Sequence, residues 1–125
     1  KIFVSDFTSN QPFLKKILTL AIEKKASKLI AIDVRKLSSI TDFFVICHGD
    51  SEPHVKAIAD NIRKGTSHKP KHIEGYENQS WILIDYFDVI IHVFKNETRQ
   101  YYNIEKLWDD APTKKYQDEK TKPIS

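Results

Sequence analysis

Apolar residues recur along this chain at two periods, and their alternation lays out an α/β domain. Phe13, Leu14, Ile17, Leu18, Ala21 and Ile22 fall at helical spacing, with Lys15, Lys16, Lys24 and Lys25 off that stripe. Asn10 can cap such a helix and Pro12 suits its first turn, so the spacing predicts a helix over about 11–26. Residues 29–34 and 43–47 are nearly continuous apolar runs, as expected of strands covered on both faces. The link between them is too short for a crossover helix, so the two should pair antiparallel. Gly49-Asp50-Ser51-Glu52-Pro53 supplies a turn and a cap, and Val55, Ile58, Ala59 and Ile62 mark a second helix ending near Gly65. A third strand is expected around 71–74, which makes a strand–helix–strand unit, parallel and right-handed. Residues 81–86 and 89–94 read as two further strands joined by a tight turn. Residues 97–108 read as a final helix with Tyr101, Ile104 and Trp108 on one stripe. The expected fold is α/β, a mixed five-stranded sheet with flanking helices.

The tight hairpin allows a sharper inference. A two-residue loop pairs odd positions of one strand with even positions of the next, and paired residues share a face. One face then carries Ile82, Ile84, Tyr86, Val89, Ile91 and Val93, a core set. The other carries Trp81, Leu83, Asp85, Ile90, His92 and Phe94. An indole, a carboxylate and an imidazole among apolar groups are costly to bury without partners. Two readings stand side by side. The face binds another protein, with Trp81 as an anchor, or a helix covers it and Asp85 bonds His92.

Composition narrows the class. A chain of 125 residues reads as one domain, and 40% hydrophobic residues exclude a wholly disordered one. One cysteine rules out an internal disulfide and a four-cysteine zinc site. No apolar run approaches the roughly 18–20 residues of a membrane helix. One cysteine fits a reducing compartment, and no signal-peptide pattern is visible. The net charge is +3, and 113–125 hold four lysines against Asp118 and Glu119. The remainder is nearly neutral, so little direct nucleic-acid binding is expected from bulk charge, although a local patch remains open. The expected division is a domain over 1–112 and a flexible basic tail over 113–125.

Several segments, in order, resemble the ribosomal silencing factor (Iojap) family. They are Ser39-Ile40-Thr41-Asp42-Phe43-Phe44-Val45-Ile46, then Gly49-Asp50-Ser51 with His54-Val55-Lys56-Ala57-Ile58-Ala59, then Glu74-Gly75. Trp81-Ile82-Leu83-Ile84-Asp85-Tyr86 and Asp88-Val89-Ile90-Ile91-His92-Val93-Phe94 follow, and Arg99, Tyr102, Glu105, Leu107 and Trp108 close the set. The resemblance implies a nucleotidyltransferase-like fold and a cytoplasmic translation repressor without catalysis. It implies binding to the large ribosomal subunit through its fourteenth large-subunit protein, which blocks joining of the small subunit. The family usually has glycine where this chain has Phe87. The candidate contact residues are Trp81, Leu83, Asp85, Tyr86, Phe87 and His92. The same apolar face makes a homodimer plausible in the free protein.

An enzyme or nucleotide-binding module is the alternative. Gly49-Asp50-Ser51 opens a helix, where phosphate is favoured, but Asp50 and Glu52 put negative charge there. Asp33 and Asp85 are the carboxylates that could hold magnesium. His48 with His54, and His68 with His72, lack the one-face spacing of a metal motif, so no metal or cofactor is expected. Cys47 sits in an apolar strand and reads as core. Tyr101, Tyr102 and Trp108 could stack on bases, yet at helical spacing such residues more often pack onto a sheet.

Overall fold

The computed structural model describes residues 7–116. Pro12–Glu23 form α1, with Pro12 at the first helical position as expected. Gln11, not Asn10, is the residue before it, and no side chain caps the end. Ahead of α1 the chain is already held from Phe7 onward: the Phe7 ring stacks on Phe43 at 5.8 Å and Thr8 is buried. Strand β1 (Ser27–Asp33) pairs antiparallel with β2 (Phe43–Gly49). Helix α2 (Glu52–Gly65) starts at Ser51, whose Oγ accepts the His54 N–H at 3.2 Å. Its apolar stripe, Val55, Ile58, Ala59 and Ile62, is buried.

Strand β3 (His72–Glu74), β4 (Trp81–Asp85) and β5 (Val89–Lys95) follow, then α3 (Asn96–Tyr102), a 3-10 turn over Ile104–Trp108, and β6 (Thr113–Lys115). The sheet has six strands in the order β3-β4-β5-β2-β1-β6. The strand after α2 runs parallel to β2, as expected, although the two are not neighbours. The β4–β5 hairpin lies between them, and β2 pairs in parallel with β5. An apolar β5 with every residue from Val89 to Phe94 buried claims the central position, and three-residue β3 is left at the edge.

The strand count and the tail are corrected: the described residues form a sixth strand beyond the five expected. Residues 113–115 are a strand, because β1 would otherwise present an open edge. Ile30, Ala31 and Ile32 face Lys115, Lys114 and Thr113, and the Tyr116 N–H donates to the Leu29 carbonyl at 2.8 Å. The expected boundary after residue 112 therefore cuts the whole of β6 from the sheet it completes, and 117–125 lie outside the described residues.

The two faces are covered unequally. On one, α1 and α2 pack over Ala31, Val45, Cys47, Ile82, Ile84, Ile91 and Val93 to form the main core. Gly65 ends α2 so close to α1 that an added Cβ would meet Leu20 at 2.4 Å. On the other, Ile30, Ile32, Phe44, Ile46, Ile90 and Phe94 form a smaller core, roofed in part by Ile104 and Trp108. The expected single last helix is broken at Asn103, which adopts a left-handed conformation (φ 45°) that asparagine tolerates better than most residues. The break turns Tyr101 outward, 81% exposed, while Ile104 and Trp108 still face the sheet.

Candidate functional site

The β4–β5 register is the one the parity argument requires: Trp81 faces Phe94, Leu83 faces His92 and Asp85 faces Ile90. These side chains lie on the thinly covered face. Trp81, Leu83 and Asp85 are each half-buried. The Trp81 ring lies 4.7 Å from Phe94 and 4.9 Å from Tyr102, and its Nε1–H donates to His92 Nδ1 at 3.0 Å. Tyr101 packs edge-on against Tyr102 at 5.0 Å, and His92 leads inward to Phe44 and Trp108. A continuous run of rings thus starts buried at Phe44 and emerges at Tyr101. Aromatic contacts of this kind hold side chains in place with little residual freedom.

His92 lies beneath Trp81 at 6% exposure, so it supports the anchor and is not itself at the surface. Burial alone pushes its pKa down to about 4, which keeps the ring neutral and Nδ1 available as an acceptor. Asp85 does not bond His92: its Oδ1 accepts the Phe87 N–H at 2.8 Å. Tyr86 is likewise absent from the contact face. It lies on the opposite side, buried, edge-on to Phe13 at 5.1 Å, with its hydroxyl 2.7 Å from Thr66 Oγ1. Membership of the core face, already implied by parity, decides its position.

Phe87 stands at the hairpin tip, 61% exposed, with φ of 82°. A bulky residue rarely takes this conformation, and glycine takes it freely. The turn is pinned from outside: Thr41 Oγ1–H donates to the Phe87 carbonyl at 2.9 Å, and the Asp42 and Phe43 N–H groups both donate to the Asp88 carbonyl. The ring rests against Lys71 Nζ at 4.4 Å from its centre.

Tyr101, Tyr102 and Leu107, outside the candidate contact set, are exposed beside Trp81 or along the same broken helix. Helical spacing pointed Tyr101 inward, and only Asn103 hinted at the break. Arg99 anchors this segment. Nearly buried, it forms a forked pair with Glu105 at 2.8 and 3.0 Å and reaches His48 Nδ1 at 3.0 Å. His48 is consequently held below its ordinary pKa, by burial first and by the Arg99 charge second.

The residues of the enzymatic alternative are dispersed. Asp33 closes on Arg35 at 2.8 Å, on β1, while Asp85 lies on β4 with two strands between. At the Gly49 turn, His54 Nδ1 accepts the Asp50 N–H at 2.9 Å, so the turn is closed upon itself. Cys47 is fully buried and its thiol is pushed up to about 12. Among the described residues no group of three or more His, Cys, Asp or Glu is placed to hold a metal ion, and no helix is long and apolar enough to cross a membrane.

Comparison with known proteins places this geometry in context. The family model for ribosomal silencing factor during starvation matches residues 8–124. Ribosomal silencing factor RsfS of Halalkalibacterium halodurans is 46% identical over 108 residues, which cover 84% of this chain and 92% of the relative. The protein of the same name from Bacillus subtilis is 41% identical over 107 residues, 82% of this chain and 91% of that one. A crystal structure of a Chromobacterium violaceum protein superposes with a TM-score of 0.76 at 32% identity, over 79% of this chain and 85% of that one.

Proposed function

This chain belongs to the ribosomal silencing factor family, and we propose that it represses translation by occupying the joining surface of the large ribosomal subunit. The fourteenth large-subunit protein is its docking partner, and the block is steric, without catalysis or cofactor. The observation that carries this reading is the thinly roofed sheet face with Trp81 at its centre. The indole is half-buried, stacked between Phe94 and Tyr102 and bonded to His92. It is therefore held ready before a partner arrives, which lowers the ordering cost of binding. Leu83, Asp85 and Phe87 extend the contact along β4 and its turn, and Tyr101 and Tyr102 extend it on the other side.

Co-sedimentation with isolated large and small ribosomal subunits tests the proposal. The protein is expected to pellet with large subunits alone and to reduce the yield of joined particles. Trp81→Ala should weaken large-subunit binding by about 2 kcal/mol or more, roughly thirtyfold, in a variant that still folds but melts at a lower temperature. Equal binding to both subunits, or undiminished binding by the variant, would sink the proposal.

A further inference from the structure

Residues 63–72, Arg-Lys-Gly-Thr-Ser-His-Lys-Pro-Lys-His, contain four Lys or Arg, two His and no carboxylate. The segment runs from the last turn of α2 to β3, beside a cleft of about 530 Å³ lined by Arg63, Lys64, Ser67, His68, Lys69 and Ile73 among others. The α2 dipole accounts for only part of this charge: Arg63 and Lys64 lie in the last helical turn, where carbonyls favour cations. Lys69 and Lys71 lie beyond it.

The segment's own contacts leave two cations outside any salt bridge among the described residues, although the Lys64 charge also acts on Asp60. Arg63 lies over the Tyr76 ring at 5.2 Å, and His72 pairs with Glu74 at 2.6 Å. His68 packs on Phe13. The Asp60 carboxylate, which also lines the cleft, is held by Lys56 and the Tyr76 hydroxyl, each at 2.9 Å. Lys64 and Lys69 are exposed, and among the described residues neither makes a salt bridge. Lys71, over the Phe87 ring, joins this cluster directly to the hairpin tip of the docking face.

We infer that the 63–72 segment is a second contact surface, one that takes the phosphate backbone of large-subunit RNA when the sheet face docks. The inference rests on the large-subunit reading above. Lysine suits phosphate as a mobile point charge. The one arginine that could fork onto a carboxylate is occupied by Tyr76, which favours RNA over an acidic protein segment. A nearly neutral domain gains little from such a patch alone. Tethered beside an apolar anchor, the same charges act at high effective concentration.

The test titrates full-length protein against isolated large subunits between about 50 and 200 mM salt, beside Lys64→Gln/Lys69→Gln. Each phosphate contact contributes about 0.7–0.9 to the slope of log affinity against log salt, so the double variant should lose about 1.5 from that slope. It should bind several-fold more weakly at the lowest salt. A second arm uses Lys69→Cys, whose new thiol is the accessible one because Cys47 is buried. A photoreactive group placed there should give cross-links on the large subunit that ribonuclease removes. Cross-links to ribosomal protein alone, or an unchanged slope, would overturn the inference while leaving the docking face standing. Failure of the parent protein to bind large subunits at all would instead bring down the reading on which both depend.

Discussion

Phe87 holds a backbone angle that glycine would hold without strain; the Thr41 hydroxyl and the Asp85 carboxylate bond it there, while the Asp42 and Phe43 N–H groups hold the adjacent Asp88. Such strain persists where the surroundings over-determine it, and it often marks a working surface. Phe87→Gly should therefore raise stability by about 1 kcal/mol in denaturant unfolding while weakening large-subunit binding. A loss of stability would show that the turn is unstrained, and unchanged binding would remove Phe87 from the contact. His92 gives a different residue-level expectation. Its pKa is about 4 in the folded protein because it is buried, against roughly 6.5 in an unfolded chain. Between those values the unfolded state binds more protons, so stability is complete above about pH 6.5 and falls as pH drops toward 4. The slope is at most about 1.4 kcal/mol per pH unit for one proton. Protonation also removes the acceptor for the Trp81 N–H. Unfolding measured at pH 7 and 5 should therefore show a smaller acid loss for His92→Gln than for the parent, with a remainder from His48, which burial also holds low. Equal losses would exclude His92 as a source.

At the scale of elements, β6 is the feature with a direct consequence. Three ladder residues and the Tyr116 N–H close the edge of β1, and Tyr116 packs against the main core. Truncation after Pro112 should lower the melting temperature by several degrees, because each kcal/mol lost is worth a few degrees in a domain of this size. An unchanged transition would show that β6 is marginal. This strand was not legible in the sequence, since Thr113-Lys114-Lys115 has the polarity of a tail and only its position beside an open strand makes it pair. Helix α2 was legible because Ser51, Pro53 and the stripe from Val55 to Ile62 agree with one another. The β4–β5 register was legible because a two-residue loop leaves parity no freedom. The neighbours of β2 were not, because local pattern carries no information about which of two apolar strands takes the centre. The same division holds for the site. Trp81, Leu83 and Asp85 fell on the expected face, whereas the depth of His92 depends on Trp81 lying across it. Tyr101 depends on a helix break at Asn103 that spacing alone overrides.

For the whole molecule, unequal covering of the sheet sets the behaviour in solution. Tyr101, Tyr102, Leu107 and Phe87 are exposed, and Trp81 is half-exposed among them. Apolar surface of this kind tends to find a partner. Light scattering across a dilution series should therefore find a homodimer at high concentration that separates on dilution, and Trp81→Ala should shift the balance toward monomer. A monomer at every concentration would count against it. The edges of the sheet decide what form such association can take. Both outer strands, β3 and β6, are only three residues long and carry Lys or His. Short, charged margins are poor templates for adding one more strand. Strand-by-strand growth, which would have no natural end and would lead toward fibres, is closed off at both sides. On the proposed reading, what remains is pairing face to face, which would use up the sticky surface of both copies, stop at two, and leave a reserve that large subunits could draw down.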